Sequence, residues 1–204
     1  VPELPVPMEE VARAPELIDK AERPMVVYGQ GVILGGAEKA LAEFIEKGDI
    51  PAASTLLGLA ALPSSSRLYQ GMIGMHGNVA PNIKTNECDV LIAVGMRFDD
   101  RVTGTLSKYA KQAKVIHIDI DASEIGKIVP VEVGINANAA EVLPALTSMI
   151  GARRRDAWVD SFSECAGIER EKVIDRGLHP GEGHIRMGEV IDKVSEVTGG
   201  EAVI

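Results

Sequence analysis

A chain of 204 residues with 46% hydrophobic and 25% charged side chains can bury a sizeable core, and its length suits one α/β domain with extra terminal segments. A net charge of −9 and a pI near 5.0 offer no basic stripe for a phosphate backbone, which excludes nucleic acid as the expected partner. Cys88 and Cys165 lack CxxC spacing and clustered histidines, so neither a disulfide framework nor a metal site is expected; without an apolar window of ~18 residues or a signal-peptide pattern, no membrane is expected either, and the expected compartment is the cytoplasm.

Pro2, Pro5 and Pro7 mark residues 1–7 as an extended linker, and with no initiator Met the sequence reads as a piece excised from a longer chain. Residues 8–22 predict a helix that Pro15 kinks or splits and Pro24 closes. Met25 to Tyr28 predicts a buried strand, which runs into Gly29, Gln30 and Gly31. Ala37, Ala40, Leu41, Phe44 and Ile45 then recur at helical spacing through Lys47, with Gly48 as the stop. Ile50 to Thr55 is a second strand, a Gly/Pro/Ser-rich loop leads to Gly71–Gly77, and Asn78 to Glu87 is a short helix.

Val90 to Val94, Val115 to Asp119 and Val131 to Ile135 are the next three strands, followed by a helix from Ala139 to Ile150. Beyond it a charged helical stretch runs from Arg153 to about Ile174, then a loop from Gly177 to Gly183, a helix from about Ile185 to Val197, and Gly199–Ile204 as a turn entering a strand. Arg153, Arg154 and Arg155 beside Asp156 and Asp160 read as a solvated face. The alternation predicts an α/β doubly wound parallel sheet, Rossmann-like, with about five or six strands and helices on both faces. Residues 8–151 form the expected domain and 152–204 a helical linker to a further one.

Glycine between a strand and a helix lets backbone approach a pyrophosphate, or simply makes a tight turn. GQGVIL has Leu34 where the dinucleotide fingerprint wants its third glycine, and Ser54 and Thr55 stand where an NAD site wants a carboxylate, so an ordinary NAD dehydrogenase is disfavoured. Asp119 and Asp121 end the fourth strand, where either could meet a ribose or adenine; alternatively Asp121 caps a helix begun by Ala122. After Gly95, Arg97, Asp99, Asp100 and Arg101 crowd four charges into five positions at a strand's carboxyl end, a pattern suited to holding phosphate or carboxylate. GMHG at Gly74–Gly77 adds a thioether and an imidazole suited to packing on a flat ring.

These motifs, with the TLLG step at Thr55 and RFDDRVTG from Arg97 to Gly104, resemble the central domain of acetohydroxyacid (acetolactate) synthase large subunits, along nearly all of the chain. The resemblance implies FAD in this domain, contacted by Gly29, Gln30, Gly31, Thr55, Leu56, Gly74, Met75, His76, Gly95, Arg97, Asp99, Val102, Asp119 and Ile120. It places Arg101 and Met75 on the substrate side, Arg101 receiving the carboxylate of the second 2-oxo acid. The family reaction joins pyruvate, after decarboxylation, to a second pyruvate or to 2-oxobutyrate, on the route to branched-chain amino acids. Thiamine diphosphate and Mg²⁺ would be held by flanking domains, so no catalytic residue and no metal ligand is expected in this chain, which alone would be inactive. A homo-oligomer and a small regulatory subunit are the further implied partners. One departure is visible: the family's G-D-A before the last helix of the domain is Ala137-Asn138-Ala139 here. The alternative is a non-catalytic scaffold domain of another thiamine-diphosphate enzyme without bound nucleotide. A sirtuin-like deacylase would need a Cys₄ zinc module that two cysteines do not supply.

Overall fold

Val and Ile, whose branched Cβ atoms suit a pleated surface, dominate the short runs that become the central strands. The computed structural model describes residues 4–178 and 181–202. In chain order, α1 (Met8–Val11) and α2 (Ala14–Lys20) are separated where Pro15 enters the first turn of α2. β1 (Pro24–Tyr28) leads into α3 (Gln30–Leu34) and α4 (Glu38–Gly48). β2 (Ala52–Ser54), a 3₁₀ turn (Leu56–Gly58) and β3 (Tyr69–Met72) precede α5 (Val79–Thr85). Then come β4 (Val90–Val94), α6 (Asp100–Thr103), β5 (Lys114–Asp119), β6 (Val133–Asn136) and α7 (Ala139–Met149). α8 (Asp156–Glu169) runs through a π-helical segment (Arg170–Ile174) into α9 (Asp175–Leu178), and α10 (Met187–Thr198) follows. Parts of three expected segments lie outside the described residues: 1–3 of the linker, 179–180 of the loop 177–183 and 203–204 of the terminal strand.

The sheet has six strands in the order β3-β2-β1-β4-β5-β6, all parallel. Chain order reverses between β1 and β4, and in open α/β sheets ligands bind in the crevice at that point. Side chains alternate across the sheet. Val26, Tyr28, Ile92, Val94, Ile116 and Ile118 meet Ile18, Leu41, Phe44, Val142 and Leu146 from α2, α4 and α7. On the other face Met25, Val27, Leu91, Ala93 and Val115 meet Ala80 of α5 and Trp158 and Phe162 of α8. The Trp158 indole donates to the Pro24 carbonyl at 2.8 Å, and burying each such large side chain stabilises the fold by about 1.5–3 kcal/mol. No described helix is long and apolar enough to cross a membrane.

Six strands agree with the expected five or six; the one that the sequence does not locate, β3, is a half-buried edge strand whose YQGM carries no apolar alternation. Three local readings are corrected. α4 includes Gly48; the left-handed cap is Asp49 at φ 51. No helix begins at Ala122: the Asp121 carboxylate instead accepts the Ser123 amide (2.9 Å) and hydroxyl (2.7 Å), closing a turn. Most consequentially, Arg155 is not part of a solvated face but is buried, while Arg153 and Arg154 are exposed. Its guanidinium donates to the carbonyls of Ile18 (2.8 Å), Ala21 (3.2 Å) and Gly48, collecting the C-terminal ends of α2 and α4, where a cation complements the helix dipole. Its backbone amide donates to Asp49 Oδ2 at 2.6 Å, and Asp49 also pairs with Arg67.

Candidate functional site

At the switch point the backbone of α3 touches the exit of β4. The Gly29 amide donates to Val94 O at 3.0 Å and the Gly31 amide to Gly95 O at 2.9 Å. A Cβ on Gly31 would lie 2.6 Å from the Gly95 Cα, and one on Gly95, at φ +56, would lie 2.7 Å from the Gly31 Cα. Gly29 and Gly31 are thus required by helix–strand contact. The three-residue turn read from the sequence is in fact the N-cap and first turn of α3, and the Gly31 amide is already committed inside the protein.

Around this contact opens a cleft of about 410 Å³, lined by Gln30, Gly31, Thr55, Leu56, Gly95, Arg97, Asp99, Arg101, Val102 and Asp119 among the expected site residues. Leu34, Leu57 and Met96 complete its wall. A second, more enclosed lobe of about 150 Å³ shares Gly31, Leu34, Gly95 and Asp119 with it and extends to Ile120 and Asn138. Leu34 was absent from the sequence-derived site, although its place as the missing third glycine was the signal for it. Gly29 sits behind the wall. Gly74, Met75 and His76 do not line the cleft: Gly74 is buried against the Arg101 main chain, Met75 is 63% exposed, and His76 is exposed. Grooves of similar volume at the amino ends of the strands, such as one lined by Glu16, Lys20, Asp89 and Lys114, are open and charged and receive no strand carboxyl end.

The segment after Gly95 alternates as a strand would. Met96 and Phe98 are buried, so Arg97 and Asp99 project outward. Arg97 Nη2 lies 3.6 Å from Asp99 Oδ2, a largely exposed pair, and the Asp99 carboxylate also caps α6 by accepting the Arg101 amide at 3.2 Å. Arg101 Nη1 lies 3.6 Å from Met75 Sδ, and the Met75 amide donates to Arg101 O at 2.8 Å.

Behind this segment His117 is fully buried, its ring edge-on to Phe98 at 5.1 Å. Nε2 meets the Met96 carbonyl at 3.0 Å, and a carbonyl can only accept, so Nε2 carries the proton. Nδ1 has no partner among the described residues. Burial lowers the imidazole pKa, outweighing the Met96 carbonyl and the Asp119 carboxylate, which pull it up. The ring is therefore neutral at pH 7, and its 3.9 Å approach to Asp119 is not an ion pair. Asp119, between the two lobes, has its carboxyl pKa raised by burial against the Asp121 amide and His117. Its Oδ1 accepts that amide at 2.9 Å. Asn138 caps α7 through the Ala140 amide at 3.1 Å and walls the inner lobe beside Gly35. Among the described residues no group of three or more His, Cys, Asp or Glu side chains could hold a metal ion.

The relatives of the chain agree in kind. It is 42% identical over 158 residues to the "Probable acetolactate synthase large subunit" of Methanocaldococcus jannaschii, covering 76% of this chain and 27% of that protein. It is 41% identical over 180 residues to the acetolactate synthase isozyme 2 large subunit of Escherichia coli K12, covering 88% and 32%. For the acetolactate synthase large subunit of Corynebacterium glutamicum the identity is 43% over 156 residues, covering 74% and 25%. The aligned part of the chain thus spans only about a quarter to a third of these relatives' length. The family model described as the central domain of thiamine pyrophosphate enzymes matches residues 11–146, two lobes and switch point included, and the chain belongs to that family.

Proposed function

We propose that the chain is the FAD-holding central domain of an acetolactate synthase large subunit, with residues 8–151 as the cofactor-holding body and 152–204 leading toward a further domain. The observation that carries this reading is the two-lobed cleft, whose lobes share Gly31, Gly95 and Asp119. An elongated ligand with a flat apolar end and a charged middle fits such a shape. Its apolar wall is Leu34, Leu56, Leu57, Val102 and Ile120; its polar groups are Gln30, Thr55, Arg97, Asp99 and Asp119. Gly31 supplies clearance instead of a hydrogen bond, so Gln30, Thr55 and Arg97 would hold the diphosphate, and Asp119 a hydroxyl or amine at the far end. Asn138 occupies the place of the family's aspartate and can still accept there. The FAD would be structural. Thiamine diphosphate, with Mg²⁺, would supply the decarboxylation and carbon–carbon bond formation from flanking domains. Arg101, exposed beside Met75, would orient the carboxylate of the second 2-oxo acid. The site would work within a cytoplasmic homo-oligomer, with a small regulatory subunit as a further partner.

The test uses the full-length enzyme, desalted and scanned for flavin absorbance, then supplied with pyruvate, thiamine diphosphate and Mg²⁺. Bound flavin and acetolactate formation are expected, and the 204-residue chain alone should form none. Acetolactate without flavin would overturn the FAD-holding role alone, and the absence of both would transfer the chain to the reading of a scaffold domain of another thiamine-diphosphate enzyme without bound nucleotide. Arg101→Lys, which keeps the charge but loses the planar fork, should weaken use of the second 2-oxo acid about ten- to a hundredfold with flavin retained.

A further inference from the structure

Gly74 adopts φ +108, a conformation suited to glycine, and its peptide groups are held from both sides by a single side chain. The Gly74 amide donates to Asn82 Oδ1 at 3.0 Å, and Asn82 Nδ2 donates to the Gly74 carbonyl at 2.9 Å. The same Nδ2 donates to the Asn78 carbonyl at 2.9 Å. Only this amide orientation serves all three groups, because the flipped one would set donor against donor and acceptor against acceptors. Asn82 lies on α5, which packs against α8, so its backbone is carried by the folded body and not by the loop.

The base of the loop is closed by other groups. The Asn78 amide donates to Met72 O at 2.7 Å, Asn78 Oδ1 accepts the Met72 amide at 2.9 Å, and Glu169 accepts the Val79 amide at 3.0 Å. Asn82 therefore governs the tip. That tip is pressed against Arg101: a Cβ on Gly74 would lie 2.6 Å from Arg101 O, the atom to which the Met75 amide donates.

We propose that Asn82 is a positioning residue for the second 2-oxo acid, fixing Met75 and Arg101 as one unit through its grip on Gly74. This rests on the acetolactate synthase reading and deepens it. Asn82 touches neither cofactor nor substrate; it removes the freedom of the loop to slide along Arg101, and displacements of about 1 Å at a substrate-orienting group cost up to a hundredfold in rate.

The experiment compares full-length wild type, Asn82→Asp, Arg101→Lys, their double variant and Asn86→Ala. Asn82→Asp keeps size and the Oδ1 acceptor but turns the two donated bonds into contacts of carboxylate with carbonyl. Asn86, at the C-terminal end of α5, accepts the Ala110 amide at 2.8 Å and donates to the Asn82 backbone carbonyl at 3.2 Å; its loss weakens the helix end under Asn82 without touching the Asn82 side chain, and so reports what stability alone does. The expected result for Asn82→Asp is an apparent KM for the second 2-oxo acid raised about ten- to a hundredfold, a changed product ratio when pyruvate and 2-oxobutyrate compete, and wild-type flavin content. The double variant should lose less than the product of the two single losses. Asn86→Ala should lower the melting temperature and leave acceptor KM alone. Asn82→Ser, which removes the amide without adding charge, serves the same comparisons if the Asp variant does not fold. Wild-type acceptor KM and product ratio in a folded Asn82 variant, or full additivity with Arg101→Lys, overturns the proposal alone. Absence of acetolactate formation by the wild type overturns it together with the functional reading beneath it.

Discussion

At the amino ends of the strands Asp49 and Arg155 are buried and their charges are met by Arg67, a backbone amide and three helix carbonyls, whereas at the carboxyl ends Arg97, Asp99 and Arg101 stand exposed or half-exposed around a cleft. Both ends concentrate charge within a few residues. The amino end satisfies its charge internally, so a change there should cost stability and leave ligand binding alone. The carboxyl end leaves charge for something outside the chain, so a change there should do the reverse. The glycine contact sits at the carboxyl end too, yet it holds backbone against backbone, so there both properties depend on the same atoms.

Arg155→Met should have the largest effect, about 3–5 kcal/mol, because it leaves the buried helix-terminal carbonyls of Ile18, Ala21 and Gly48 without their charged donor, while Asp49 keeps the residue-155 backbone amide and Arg67. Urea unfolding of the chain followed by fluorescence of Trp158, its one tryptophan, measures this. Flavin affinity of the molecules that remain folded should be unchanged; a parallel fall in affinity would erase the distinction between the two ends.

Gly95→Ala should cost about 2–4 kcal/mol, combining a left-handed φ with overlap onto the Gly31 and Val32 backbone, and should abolish flavin retention as well. A variant of wild-type stability that still retains flavin would show that the contact is looser than described.

A smaller effect is expected from pH. His117 has a folded-state pKa below its ordinary 6.5, so the unfolded chain takes up the proton first; its contribution is full above 6.5 and is lost as pH falls toward the lowered value. Asp119 acts in the opposite sense, its pKa raised from 3.8, so its contribution is present below 3.8 and lost as pH climbs through the raised value. Melting temperature against pH should therefore fall on the acid side of 6.5, and His117→Gln, whose amide nitrogen reaches the Nε2 position and keeps a donor for the Met96 carbonyl, should flatten that fall. Asp119→Asn should steepen it over the range just above 3.8. Unaltered profiles in both variants would remove these groups from the account.

Arg97→Ala should move stability least, by under about 0.5 kcal/mol, since its pairing with Asp99 is solvated. Flavin stoichiometry of the purified full-length variant should drop all the same. Retained flavin would assign Arg97 to the surface.

β1, β4 and β5 were legible because every position of PMVVY and VLIAV is buried and only Lys114 of KVIHID is exposed. β3 was not, because an edge strand with Gln70 and Gly71 carries no apolar signature. Arg155 could not be told from Arg153 and Arg154 by residue type. What buries it is a set of carbonyls up to 137 residues away, which local pattern does not encode. In the site, the four charges crowded between Arg97 and Arg101 marked a strand's carboxyl end, and the glycines marked the crevice. Their reason lay elsewhere: Gly31 meets Gly95, a contact 64 residues apart in sequence, so phosphate approach and backbone crossing look the same in one dimension. Asn82 gave no signal beyond an asparagine four residues after another.

The Gly31–Gly95 crossing also limits how the sequence can drift. Most crowded contacts tolerate a larger residue on one side once the opposite side becomes smaller, and lineages wander along such paired exchanges. Here both partners already lack a side chain, so neither has anything left to give up. A methyl group gained at either position meets only main chain, at 2.6–2.7 Å. Escape would require β4 and α3 to move apart, and that would reshape the walls of both lobes in a single step.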